Sequence, residues 1–254
     1  MGKTVLLFGA AAVLLVLSTV GSARAALTYY SENYEMQVSV SYIGVSLEEN
    51  GKTVSSRSYD ADNNVTEVTG KLLENLGETA GAEGDRTLLP GKKYDERLSV
   101  TNRGQIDSYV RVIVRKSWMD KEGKKNTALS PDLICLDMDQ AGQRNNWIKD
   151  ESASAGGSDG VYRERMVLYY ALPLKPGETT ETFNEAIGVD YAVTGAFSQT
   201  VDGNVTTTVY DYDGYAVCLE VEVDAVQTHN GADAVKSAWG TDVEIAPDGR
   251  LRLR

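Results

Sequence analysis

His229 is the single histidine of the 254-residue chain, and it lies between Gln227-Thr228 and Asn230. A zinc peptidase normally needs two histidines one helical turn apart with a general-base glutamate between them, and no such run is present. His229 is therefore read as a turn residue, and no catalytic residue is assigned. Gly-x-Ser-x-Gly, the turn that exposes a hydrolase serine, is also absent. Two carboxylate pairs, Asp137/Asp139 and Asp211/Asp213, stand two residues apart. That spacing puts both members on one strand face, whereas glycoside hydrolysis requires carboxylates facing each other across a groove. Solvated strand edges explain them. Asp211-Tyr212-Asp213-Gly214 matches the start of a calcium loop but lacks its third acidic ligand and its closing glutamate. Asp211 and Asp213 are thus the weak calcium candidates, and no other cofactor is inferred. No glycine-rich loop joins a strand to a helix, so nucleotide binding has no support.

Cys135 and Cys218 are the only cysteines, 83 positions apart. In an oxidising compartment they could pair, but two cysteines make no disulfide framework. Ile134 and Leu136 flank Cys135, which equally suits a packed thiol, and both readings stay open here.

The compartment is indicated at the start of the chain. Lys3 precedes an apolar run from Val5 to Val20, followed by Gly21-Ser22-Ala23-Arg24-Ala25. This is the pattern of a signal peptide over residues 1–25, with Ala23 and Ala25 at the cleavage site. The run is shorter than the ~18 to 20 residues that a membrane span prefers. Removing Lys3 and Arg24 lowers the basic count from 25 to 23 against 37 acidic residues, so the formal charge of −12 becomes −14. Such a field repels polyanions and argues against nucleic acid as a partner. No small-molecule substrate is inferred. The mature chain is expected to be secreted, soluble or held outside the cell by non-covalent contacts.

Residues 26–254 are read as one all-β domain organised around 88–118. Pro90-Gly91 turns the chain, and a strand follows from Tyr94 with Leu98 and Val100 on one face and Arg97 and Ser99 on the other. Asn102-Arg103-Gly104 breaks it. Val110, Val112 and Val114 then alternate against Arg111 and Arg115, with Tyr109 and Ile113 less clearly assigned. Upstream, Met36, Val38, Val40 and Tyr42 alternate before the apolar phase slips at Gly44 to Ile43, Val45 and Leu47, which predicts a bulge at that glycine. Asn50-Gly51 predicts a hairpin turn.

Residues 50–87 look loop-rich, with a short helical turn over Lys71 to Leu76. Asn64-Val65-Thr66 and Asn204-Val205-Thr206 fit the glycosylation pattern but are read as turns. Met119 to Ser130 reads as a loop, Leu129 to Met138 and Trp147-Ile148 as short strands, and 151–160 as a flexible loop. Met166 to Leu174 predicts a strand stopped at Pro173, and Phe183 to Val189 another. Val193 to Val201 and Val205 to Tyr210 form a hairpin about Asp202-Gly203-Asn204. From Tyr215 to Val226, Val217, Leu219, Val221 and Val223 share one face, and Glu220, Glu222 and Asp224 make the other face wet and acidic. A helix from Ala232 to Trp239 is capped by Asn230 and ends at Gly240. Helix signals are otherwise few, and the class is an antiparallel β-sandwich with a few short helices.

Four segments carry a family resemblance: STVGSARA at the end of the leader, LTYYSENY at the mature start, LLPGKKYDERLSVTNRGQIDSYVRVIV, and EVDAVQTHNGADAVKSAWG near the C-terminus. Together they resemble the TasA/camelysin (CalY) family of Firmicutes secreted proteins. The resemblance implies a jelly-roll-like sandwich, cleavage by a SipW-type signal peptidase, and a non-enzymatic role as a fibre-forming or surface protein of the biofilm matrix. It also implies self-association or related matrix subunits as partners. An extended N-terminal segment carrying Leu27, Tyr29, Tyr30, Met36, Val38 and Val40 is the candidate for strand addition to a neighbour; an ordinary first strand of its own domain is the other reading. A surface adhesin or accessory subunit is the alternative function. Camelysin relatives have been described as metallopeptidases, an activity for which a lone His229 supplies no ligand set.

Overall fold

Asn50 and Gly51 both have positive φ, 51° and 78°, the backbone that a two-residue hairpin turn requires. They reverse the chain between β1 (Val45–Glu49) and β2 (Lys52–Tyr59). The computed structural model describes residues 42–59, 65–73, 88–138, 146–154 and 164–254. Ala23, Ala25 and the segment from Leu27 to Val40 lie outside them, as do Asp139 and parts of the 71–76 and 151–160 stretches.

Strands dominate, and they form two main antiparallel sheets. The first has six strands in the order β3-β2-β1-β4-β10-β7. Its further members are β3 (Val65–Val68), β4 (Lys93–Asn102), β7 (Ile134–Leu136) and β10 (Asn184–Val189). The second runs β13-β5-β9-β8, with β6 paired to β5. Its members are β5 (Ser108–Met119), β6 (Lys125–Asn126), β8 (Trp147–Lys149), β9 (Arg165–Tyr170) and β13 (Ala216–Gln227). Two hairpins stand apart, β11 (Phe197–Asp202) with β12 (Val205–Tyr210), and β14 (Val243–Ile245) with β15 (Leu251–Leu253).

The alternation of β5 sets the core. Val110, Val112 and Val114 are at most 1% exposed and meet Leu47, Leu98 and Val100 from the first sheet. Burying each such side chain contributes roughly 1.5–3 kcal/mol, so a one-residue register slip, which turns the whole row to water, is strongly disfavoured. Trp147 closes one end of this core against Tyr170 and Phe183, with ring centroids 5.2 and 5.4 Å away.

The other face of the second sheet is not uniformly wet. Tyr109, Ile113, Val167, Tyr169 and Val226 form a second core with Val235, Val243 and Leu251. The covering layer is α1 (Gly231–Trp239) and the β14–β15 hairpin. The acidic face expected for Tyr215 to Val226 therefore holds only as far as Glu222. Farther along, Asp224 accepts from Arg111 Nη2 at 2.5 Å, and Arg111 lies over the Trp239 ring at 5.1 Å.

Several local expectations are corrected. The β1–β2 pairing has a bulge between Leu47 and Glu48, which the alternation did not mark; the strand expected upstream of Gly44 lies outside the described residues over Met36 to Val40. Gly44 serves close approach, because a Cβ there would lie 2.8 Å from the Arg57 carbonyl oxygen. Val193 belongs to a 3₁₀ turn, Tyr191–Gly195, started by the Asp190 side chain accepting from Ala192 N at 2.8 Å. The following strand begins only at Phe197. β9 ends at Tyr170, before Pro173, where Ala171 N turns to the Asn146 carbonyl at 2.7 Å. Asn230 does cap α1, but in the left-handed region at φ 51° and without a side-chain hydrogen bond. The 119–130 loop contains the short strand β6.

Candidate functional site

The two sheets are unequal, and the inequality leaves a groove. Among the described residues the first sheet continues through β1, β2 and β3, whereas the second ends at β13, which pairs with β5 alone. Between the β13 margin and the inner face of β1–β2 runs a groove of about 1590 Å³. Val45 and Leu47 line one wall, and Val217, Leu219, Val221 and Val223 the other. The Trp118 and Tyr212 rings, in edge contact at 5.0 Å, lie at its lining as well.

Local sequence explains why these walls are apolar and only partly covered. Val217, Val221 and Val223 point to the inner face, yet they stay half-buried while Val112 and Val114 opposite them are sealed. Among the described residues no strand pairs with the second edge of β13. Such an edge presents unpaired N–H and C=O groups beside an open apolar row, the two features that an added strand satisfies.

Among the described residues, those singled out for chemistry form no common site. His229 is exposed in the bend before α1, and its carbonyl accepts from Gln227 Nε2 at 3.2 Å. Asp137 is paired with Lys93 Nζ at 2.9 Å. Asp211 and Asp213 lie exposed in the β12–β13 connection, where Asp211 N donates to Ala196 O and Asp213 N to Tyr210 O. Among the described residues no group of three or more His, Cys, Asp or Glu side chains is placed to hold a metal ion. Cys135 and Cys218 are free thiols on opposite sheets. Burial pushes both up from the usual thiol range, aided by Asp190 at Cys135 and by Glu220 at Cys218. The thiolate is the nucleophile, so both are poor ones.

Sequence reasoning missed one acidic site. Glu49 and Glu96 are 5% and 1% exposed, on the inner side of the first sheet. Leu73 N donates to Glu49 Oε1 at 2.6 Å. Burial, together with the hydrogen bond and charge of Glu49, pushes the Glu96 carboxyl up to about 9. Asn184, 1% exposed, donates from Nδ2 to the Glu96 carbonyl at 2.6 Å. Glu96 Oε1 and Asn184 Oδ1 have no hydrogen-bond partner among the described residues. The signal was present in the alternation, since Glu96 shares parity with Tyr94, Leu98 and Val100.

Two further carboxylates behave oppositely. Burial works to raise Glu48, but hydrogen bonds from Ser46, Thr53 and Arg103 outweigh it and hold the group below the usual range. Burial likewise opposes ionisation of Glu181, and hydrogen bonds from Tyr170 and Asn146 with the Arg250 charge overcome it. Both are structural clasps. Glu181 joins the β9 end to Asn146, while Arg103 ties Ser46 and Glu48 at 3.0 and 3.2 Å.

Comparison of the chain with protein-family models, with curated proteins and with solved structures finds no match in any of the three.

Proposed function

We propose that this chain is a secreted, non-enzymatic structural or surface protein of the extracellular matrix, assembled by strand addition along β13. The observation that carries the reading is the margin of the second sheet, where no strand among the described residues pairs with the outer edge of β13 and its valines stay half-buried. The leader pattern and the TasA/camelysin resemblance support export and a matrix role. The occupant proposed for the groove is the N-terminal segment of another copy, with Met36, Val38 and Val40 entering between Val221 and Leu47. A run of about nine residues extends roughly 30 Å, long enough to follow the β13 edge beside the groove. Backbone bonding would supply affinity, and the alternate apolar side chains would set register.

The test is assembly of the mature chain, followed by electron microscopy and light scattering. Fibres are expected from the mature protein. They should be lost on Val221→Lys, which sets a charge in the groove, and on deletion of residues 26–40, which removes Met36, Val38 and Val40. A synthetic peptide of residues 26–42 should then bind the deleted chain and raise its melting temperature. A mature chain that stays monomeric under all conditions and gains nothing from the peptide overturns the reading. Unchanged binding of the deleted monomer to a cell surface would favour an accessory adhesin instead.

A further inference from the structure

Six facing pairs join β11 to β12, from Phe197–Tyr210 to Asp202–Val205, and every residue of both strands is exposed. The hairpin has no third strand among the described residues. A two-stranded ribbon solvated on both faces is marginal by itself. Proteins usually blunt such edges with lysine, proline or a bulge. Between Phe197 and Tyr210 there is no lysine, arginine or proline, the pairing has no register shift, and Asp202 is the only charge. Phe197, Val201, Val205, Val209 and Tyr210 are 46–69% exposed.

We propose that this hairpin is a self-association surface, in which β12 pairs antiparallel with β12 of a second copy about Thr207 to build a four-stranded sheet. Charge favours a second copy at this place. Two chains of formal charge −12 repel each other, and the repulsion is least where one acid stands in fourteen residues.

Backbone phase fixes the register. Asp211 N donates to Ala196 O at 2.9 Å, which marks 196/211 as a bonded pair. Bonded pairs alternate along an antiparallel ladder, so 198/209, 200/207 and 202/205 are bonded too. Thr206, Thr208 and Tyr210 therefore turn their N–H and C=O groups outward. From 205 to 209 the strand reads Val-Thr-Thr-Thr-Val, identical in both directions. A two-fold axis at Thr207 sets Thr206 against Thr208 of the second copy as a bonded pair, and Val205 against Val209 of the second copy as an apolar one. A shift of one residue would oppose outward groups to inward ones. The contact shares no residue with the groove lining and does not depend on strand addition there.

Sedimentation equilibrium on the mature chain, with cross-linking beside it, tests this. A monomer–dimer equilibrium is expected below about 1 mM. Thr208→Pro removes one outward N–H per copy without touching the β11 ladder, and should weaken the dimer about 30-fold. Gln199→Pro removes an outward N–H on β11 and should leave the dimer unchanged. In a C135S/C218S background, Thr207→Cys should form an intermolecular disulfide on mild oxidation, because non-bonded pairs bring Cα atoms to about 4.5 Å. Thr200→Cys should not. Absence of a dimer, equal effects of the two proline variants, or equal cross-linking at 207 and 200 overturns the proposal. Fibres that survive Thr208→Pro leave the groove reading intact while the hairpin contact is lost.

Discussion

Replacing Glu96 by glutamine should make the protein more stable at neutral pH and remove much of its pH dependence. The carboxyl is 1% exposed and is pushed up to about 9 from 4.5, so the folded chain keeps a proton that the unfolded chain releases. Stability must therefore fall as pH rises from 4.5 toward 9, by about 1.4 kcal/mol per pH unit for one such group. Between pH 4.5 and pH 7 the wild type loses about 3 kcal/mol from this residue. Glutamine fills nearly the same volume, cannot ionise, and keeps a donor for Glu49. Urea denaturation of both proteins from pH 4.5 to pH 8.5 reads the effect. The variant should match wild type near pH 4.5 and exceed it by about 3 kcal/mol at pH 7. Glu48 and Glu181, held below the usual range, lose stability as pH falls and do so equally in both proteins, so the difference curve isolates the Glu49–Glu96 pair. Parallel curves across the whole range would refute the reasoning, because they would mean that this carboxyl holds no extra proton in the fold.

Gly231→Ala should lower the melting temperature although it lies in a helix. A Cβ there would come within 2.6 Å of Tyr109 Cε2, and that ring is buried with its hydroxyl donating to the Gly249 carbonyl at 2.8 Å. Overpacking of this kind costs about 1–3 kcal/mol, against a propensity gain of at most about 1 kcal/mol; an unchanged thermal melt would refute it. The two thiols provide a separate check. Intact mass should show no missing hydrogens, and a disulfide reagent should label Cys135 and Cys218 slowly in native protein near neutral pH and rapidly in urea. A mass two hydrogens short would contradict their placement on opposite sheets.

The sequence alone carried the class of the fold and much of its local detail. Alternation in 108–119 and 216–227 marked the two longest strands, Asn50-Gly51 marked a hairpin, and Gly240 marked the end of the helix. Each is a short-range effect, because side-chain direction along a strand and positive φ at a turn are fixed within a few residues. The even parity of Glu96 was legible too, but an acid in an apolar row reads as an edge until the partner that shares its burial is known. That partner, Glu49, comes from another strand.

Tertiary structure decided what depends on distant segments meeting. Tyr109 and Ile113 looked ambiguous because the layer that buries them arrives more than a hundred residues later, as α1 and the β14–β15 hairpin. The inequality of the two sheets, and with it the groove beside β13, follows from strand order, which no local pattern encodes. Alternation tells which side chains turn inward; only the assembled sheets determine whether another strand is there to cover them.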